Sequence, residues 1–333
     1  NPYFTFTSSV NFSTSGFNRS NINSYFNPNL NSENTKGSSI SFTKRFPSQS
    51  NLSLSGSMLI NQRTKDSTIS LTLPTLNIAV SRFSPFKRKN AVGNERWYEK
   101  IYMSYSGTFA NSIDTKESLL LSSSLSKDWR NGMRHSIPVS ATFNLFKYIN
   151  ISPSFNYTER WYLRSVDKNW DSDKQKEITD TVSGFNRVYD FNMGVSASTK
   201  LYGFFIPIRS ILGDKIDRIR HVFTPTIGFG YAPDFGDQRW GYYDSYKKTT
   251  KDPSNPASMI EEEVVYSHYQ GSLYGYPGSG KSGNINFSFA NNIEMKLRND
   301  NDTTGKAPFK KVSLIDNFSV SGGYNLAADS MQW

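Results

Sequence analysis

Apolar and polar residues alternate one by one in long segments throughout the chain. In residues 135–145, Ile137, Val139 and Phe143 stand at odd positions, while serine, proline, threonine and asparagine fill the even ones. Because successive side chains of a β-strand point to opposite faces of its sheet, this period predicts strands with one apolar and one polar face. About fifteen such segments occur, many of about 9 to 15 residues, whereas a typical strand of a globular protein has about 5 to 6.

The length of these segments favours a membrane barrel over a soluble sandwich. Roughly eleven residues of a tilted strand span about 25 Å, the height of the apolar band of an outer-membrane barrel. The sequence has no run of 18 apolar residues, and its mean hydropathy is −0.57, so any crossing of a membrane falls to the strands. We therefore predict an all-β fold, a transmembrane antiparallel β-barrel.

Short and long connections alternate along most of the sequence, as they do between the two rims of such a barrel. The tripeptide at Pro74 predicts a tight turn, as does "FKY" at residues 146–148. Residues 84–100 and the charged residues 164–183 are predicted as long loops. Since the long loops of outer-membrane barrels are extracellular, this alternation of short and long connections assigns residues 84–100 to the outer rim.

Aromatic residues cluster where the predicted strands meet loops. In a barrel, such residues form girdles at the level of the lipid headgroups. The interfacial candidates are Trp97, Tyr98, Trp161, Tyr162, Trp240 and Tyr242.

Basic residues precede the first aromatic pair, in a chain whose net charge is +10. Charge alone leaves nucleic acid, phospholipid headgroups, a phosphorylated glycolipid and a merely soluble basic surface as alternatives. At a barrel rim, the partner becomes the phosphates of the membrane, and we expect no nucleic acid. The candidate headgroup contacts are Lys87, Arg88, Lys89 and Arg96.

Residues 201–220 break the alternation of connections, since a short turn is due there. Ile208, Ile211, Leu212, Ile216 and Ile219 follow helical spacing. The spacing predicts a short amphipathic helix over residues 208–219, with an elongated hairpin as the alternative.

Other motifs predict no catalytic residue, cofactor or metal site. "GYPGSGKS" at residues 275–282 matches a phosphate loop, but the alternating residues that follow predict a strand where that loop needs a helix, so we interpret it as a hairpin turn. Residues 167–177 resemble a calcium loop, but Ser172 and Ile178 replace its glycine and glutamate. The chain has no cysteine and only three scattered histidines.

Three stretches resemble a known family: "LPTLNIAVSRFSPFKRKNAVGNERWYEKI" (residues 73–101), "RHVFTPTIGFGYAPDFG" (220–236) and "DNFSVSGGYNLAADSMQW" (316–333). They are similar to the outer-membrane lipopolysaccharide-assembly family LptD, in its Bacteroidota branch. The resemblance implies an integral outer-membrane barrel of roughly 26 strands that inserts lipopolysaccharide into the outer leaflet through its lumen and a lateral gate. It also implies an LptE-type lipoprotein plug and a periplasmic LptA-type bridge as partners, and it implies no enzyme.

An odd number of strands departs from the even number that closes single-chain bacterial barrels. We therefore expect residues 1–333 to be part of one barrel domain, with the signal peptide, an N-terminal jellyroll and the remaining strands not present. Two other classes remain as alternatives: another outer-membrane barrel, such as a porin or a plugged nutrient receptor, and a soluble or fibrous β adhesin that binds polyanions.

Overall fold

A computed structural model describes residues 1–11, 35–46, 49–63, 66–90, 92–123, 128–208, 215–251, 259–299 and 309–328. Fifteen strands dominate these residues, beside three short 3-10 turns at Trp97–Lys100, Glu117–Ser122 and Gln238–Trp240. Among the described residues, no helix is long and apolar enough to cross a membrane. The strands are β1 (Phe4–Ser9), β2 (Thr35–Phe46), β3 (Gln49–Arg63), β4 (Thr68–Phe83), β5 (Ile101–Lys116), β6 (Arg130–Ala141), β7 (Phe143–Leu145), β8 (Ile149–Asp171), β9 (Lys176–Thr199), β10 (Leu201–Phe205), β11 (Ile216–Ala232), β12 (Tyr243–Lys251), β13 (Met259–Ser267), β14 (Ser282–Arg298) and β15 (Phe309–Asn325).

Thirteen of the strands form one antiparallel sheet in the order β1-β2-β3-β4-β5-β6-β8-β9-β11-β14-β15. The short β7 follows β6 and also pairs with β8, and β10 follows β9 and pairs with β11. The sheet therefore has eleven strand positions, and β1 and β15 are its edges within the described part of the chain. Strands β12 and β13 form a separate hairpin. This architecture confirms the predicted all-β fold and is consistent with part of a barrel wall.

The sheet has two chemically different faces, as the alternation predicts. Phe155 of β8 lies opposite Val139 of β6 and Met193 of β9. The neighbouring Ser154 lies opposite Ser140 and Gly194 on the other side. We call these the apolar face and the polar face. The register between neighbouring strands assigns the following residues, from β2 to β15, to the apolar face: Ile40, Met58, Leu54, Ile78, Leu76, Phe109, Val139, Phe155, Val195, Phe229, Phe289 and Val320.

Many side chains of the apolar face are exposed. Phe155 and Val195 leave 38% and 42% of their surface uncovered, and Ile227 leaves 56%. An exposed apolar band of this extent across a whole sheet is typical of a surface that contacts lipid.

The strand ends define two rims. The insertion rim carries the β8–β9 turn at residues 172–175 and residues 233–281, which we call the insertion. The basic rim carries the short turn at residues 146–148 and also residues 84–100, which we call the basic loop. Strand β8 continues for residues 163–171 beyond its last pair with β6, roughly 30 Å at the usual strand rise.

Two of the predicted connections are wrong. Strand β4 runs through Pro74, where its register shifts against both β3 and β5, because a proline without an N–H is tolerated in a sheet at a bulge. Residues 164–183 are the ends of β8 and β9, paired down to Asp171 and Lys176. The error at Pro74 adds one crossing to the count, and the structure places the basic loop on the rim opposite the insertion.

The helix predicted over residues 208–219 is wrong at its C-terminal part. Residues 216–219 are extended in β11, where Ile216 pairs with Leu297 and Ile219 with Met295. Residues 209–214 lie outside the described residues. The hairpin turn predicted at residues 275–282 is also wrong, because β13 pairs with β12 and not with the following strand. The strand predicted after that motif is correct and begins at Ser282.

Candidate functional site

The basic loop is held together by one buried carboxylate. The side chain of Glu99 is inaccessible to solvent, in the 3-10 turn that leads into β5. Arg88 donates to it through Nε at 2.8 Å and Nη2 at 2.9 Å. The backbone N–H groups of Arg88 and Arg96 donate at 3.1 and 2.7 Å. Four donors thus fix residues 88–99 into one closed loop, which we call the Glu99 lock.

Hydrogen bonding sets the charge state of this lock. The Arg88 side chain, followed by the backbone N–H of Arg96, lowers the pKa of Glu99 to about 2. The carboxylate therefore stays ionised at every physiological pH, and Arg88 is occupied by it. Arg88 is thus paired inside the loop with its side chain 30% exposed, and its contact with a headgroup stays a prediction.

The other three predicted basic residues lie on the surface of the basic loop. Lys87 forms a half-exposed ion pair with Glu95 at 3.1 Å. Arg96 donates from Nη1 to the Tyr98 hydroxyl at 3.2 Å. Lys89 is exposed and has no ion-pair partner among the described residues. Headgroup contact stays a prediction, and the structure leaves Lys89 and Arg96 as its best candidates.

The predicted girdle aromatics divide into two groups. Trp97 is 68% exposed at the basic rim and contacts Tyr98 edge to face, as an interfacial residue requires. Trp161 lies on the apolar face opposite Met133, and its Nε1 donates to Glu159 at 2.6 Å. An interfacial role stays a prediction for these three aromatics.

Tyr162, Trp240 and Tyr242 form the second group, and an interfacial role stays a prediction for them too. Tyr162 and Tyr242 are 1% and 4% exposed and lie in one cluster with Val188 and Tyr269, against which Trp240 packs. Tyr162 lies on the polar face because successive side chains of a strand alternate, and its neighbour Trp161 lies on the apolar face.

This aromatic cluster fastens the insertion to the polar face of the wall. The Tyr162 hydroxyl donates to the Gly275 carbonyl at 2.6 Å, and Arg160 Nε donates to the Tyr274 carbonyl at 3.1 Å. The Tyr242 hydroxyl both accepts from the N–H of Tyr189 and donates to its carbonyl, each at 3.1 Å. The edge of β9 that extends beyond β11 is thereby covered.

The β12–β13 hairpin of the insertion stands against the tall end of β8 and β9. The N–H of Val166 donates to the His268 carbonyl at 2.7 Å, and Trp170 Nε1 donates to the Thr249 carbonyl at 3.1 Å. The Tyr246 hydroxyl donates to Glu177 at 2.7 Å, which raises the pKa of Tyr246 to about 12. Sequence reasoning missed this docking, although the tyrosine-rich, non-alternating residues 266–276 distinguish the insertion from the wall.

The described residues bring no metal site together. They contain no group of three or more histidine, aspartate or glutamate side chains that could hold an ion. Asp167, from the calcium-loop motif, instead lies 3.0 Å from Nδ1 of His268.

Comparison with known families identifies the family of this chain. A family model of the LptD protein matches residues 1–333. The chain belongs to the LptD family. LptD proteins are outer-membrane proteins of lipopolysaccharide transport and assembly, and the two-faced antiparallel sheet is compatible with that location. LptD is a transport family and not an enzyme family. No curated protein matches the chain.

Proposed function

We propose that this chain forms part of the wall of an outer-membrane lipopolysaccharide translocon. The polar face lines the lumen and accommodates the sugars of the glycolipid, while the acyl chains leave between strands through a lateral gate into the outer leaflet. The observation that carries this proposal is the continuous division of eleven strand positions into a lipid-compatible face and a hydroxyl- and amide-rich face. The wall positions the glycolipid, so the proposal requires no nucleophile or metal.

Loop sizes orient the wall in the membrane. Outer-membrane barrels have short periplasmic turns and long extracellular loops, so the rim with the tall β8–β9 hairpin and the insertion faces the outside. The basic rim then faces the periplasm, where Lys89 and Arg96 stand beside phosphates of the inner leaflet. The insertion, fastened on the polar face by Tyr162, partly caps the outer mouth of the lumen.

The expected partners contact the basic rim and the polar face of the wall. A periplasmic LptA-type bridge delivers lipopolysaccharide at the basic rim, through a jellyroll domain outside residues 1–333. An LptE-type lipoprotein fills the lumen against the polar face. The edges β1 and β15 pair with the remaining strands of a barrel of roughly 26 strands, within the known range for such barrels.

Photo-crosslinking from neighbouring residues of β9 tests the lumen. A photoreactive amino acid replaces Ser196 on the polar face or Val195 on the apolar face in the complete protein, in cells. We expect Ser196 to give lipopolysaccharide adducts that disappear when inner-membrane ATP hydrolysis is blocked, and Val195, on the apolar face, to give membrane-lipid adducts whose yield does not depend on ATP hydrolysis. These neighbours share one depth, so the pair controls for position along the strand.

A plugged nutrient receptor is the competing function, since the insertion is a segment of the same chain folded over the polar face. In that case, Ser196 gives no lipopolysaccharide adduct. Depletion of the protein would then leave surface lipopolysaccharide at its normal level, and the translocon proposal would be refuted.

A further inference from the structure

A row of cations crosses three adjacent strands at the basic rim. Arg218 of β11 lies directly opposite Lys296 of β14, and Lys296 lies directly opposite Lys311 of β15. All three belong to the polar face. We call Arg218, Lys296 and Lys311 the cation row.

Like charges placed opposite each other destabilise a sheet. The acidic neighbours do not cancel this repulsion. Asp217 is shared between Arg218, at 3.0 Å, and Lys296, at 3.6 Å. Lys311 has no acidic partner among the described residues. The cation row therefore keeps a net positive charge of about two, which favours a bound anion.

The cation row borders a cavity of about 240 Å³. Its fourth basic residue, Arg220, is paired with Glu294 at 2.6 Å, so its charge is already neutralised. Phe204 and Met295 supply apolar wall beside the charges. A cavity that offers several cations next to apolar surface suits a phosphate group carried by an amphiphile, because each part of the ligand finds a matching partner.

The polar face changes character above this cavity. A groove of about 440 Å³ lies on the same three strands, and it is lined by Thr226, Gly228, Asn286, Phe287, Ser288, Ser321 and Gly322. Hydroxyl and amide groups of this kind exchange hydrogen bonds with sugar hydroxyls. A charged cavity at the rim thus lies below a groove lined by uncharged side chains, several of which carry hydroxyl or amide groups.

We propose that the cation row binds a phosphate group of the transported glycolipid as it arrives from the basic rim, while its sugars enter the groove above. This proposal rests on the proposed function, and it assigns the phosphate contact to the wall strands β11, β14 and β15 in addition to the basic loop.

Lys311 and Lys310 offer a matched pair for the test. Lys310 is the neighbour of Lys311, equally exposed at the same rim, but it lies opposite Leu297 on the apolar face. A photoreactive residue at either position is compared in cells whose lipid A carries or lacks its phosphates. Adducts are separated into lipopolysaccharide and glycerophospholipid, which distinguishes the two sources of phosphate.

We expect position 311 to yield lipopolysaccharide adducts that fall about tenfold when the phosphates are removed, the loss of one charge-assisted hydrogen bond. Position 310 should show no dependence on the lipid A phosphates. In a second measurement with the native lipid, Arg218→Gln should lower the yield at position 311, and Lys310→Gln should not.

Failure of this proposal differs from failure of the proposed function. If position 311 gives phosphate-independent adducts or only glycerophospholipid, while Ser196 still gives lipopolysaccharide adducts, the cation row is not a phosphate site. If Ser196 gives none either, the translocon itself is refuted.

Discussion

Replacement of Phe155 by arginine tests the division of the wall into two faces. Phe155 lies on the apolar face, six residues from the start of β8 at Ile149 and six from Trp161. With a rise of about 3.4 Å and a tilt of about 40°, each span covers roughly 15 Å of membrane depth. Phe155 is thus near the midplane, where an arginine facing lipid costs about 2 to 4 kcal/mol.

Ser154→Arg is the matched control. Ser154 differs in depth from Phe155 by one residue, lies on the polar face and is exposed between Ser140 and Gly194. An arginine there reaches water, so its expected cost is below about 1 kcal/mol.

The free energy of unfolding is measured for the full protein in lipid vesicles by urea titration. Equal losses for Phe155→Arg and Ser154→Arg would refute the assignment of the two faces. A larger loss for Ser154→Arg would reverse it.

Three smaller predictions concern the insertion and the basic loop. Tyr162→Phe leaves the Gly275 carbonyl without its buried donor and should weaken docking of the insertion by about 1 to 3 kcal/mol, measured as faster hydrogen exchange there. The pKa of Glu99 is lower in the folded loop than its ordinary value of 4.5, so its stabilising effect is complete above about pH 4.5 and is lost as the pH falls through about 2. Hydrogen exchange in residues 88–99 should follow that curve, and Glu99→Gln should abolish the dependence. Lys89→Gln should lower binding to anionic vesicles by about 1 kcal/mol without changing exchange in the loop; a loosened loop would contradict its role as a free surface charge.

The alternation predicted the strands wherever one face contacts lipid and the other contacts water. It failed at residues 164–183 because both faces of the tall hairpin are polar, so charged strands there look like a loop. It failed at Pro74 because proline occurs both in tight turns and at β-bulges, so the residue alone does not distinguish the two structures. Since the sides of a barrel are assigned by counting crossings, the false turn at Pro74 added one crossing before the basic loop and assigned that loop to the rim of the insertion.

The Glu99 lock and the insertion could not be predicted from sequence periodicity. Glu99 is one of several charged residues in its stretch, and only the folded loop brings Arg88 to it. Tyr162 looks like its neighbour Trp161 in the sequence, and the pleat of β8 alone separates them. The cation row depends on the register between β11, β14 and β15, which alternation within single strands does not determine.

The Trp161–Tyr162 step shows how this wall can change during evolution. A substitution that keeps a position apolar or polar is tolerated along each strand. One residue inserted before Trp161 would instead turn its ring to the polar face and bring Tyr162 to the apolar face. The register shift between Tyr162 and Arg164 is a place where an odd residue is already absorbed. Length variation among homologous chains should therefore concentrate at such bulges and at the rims, and be rare within the apolar band.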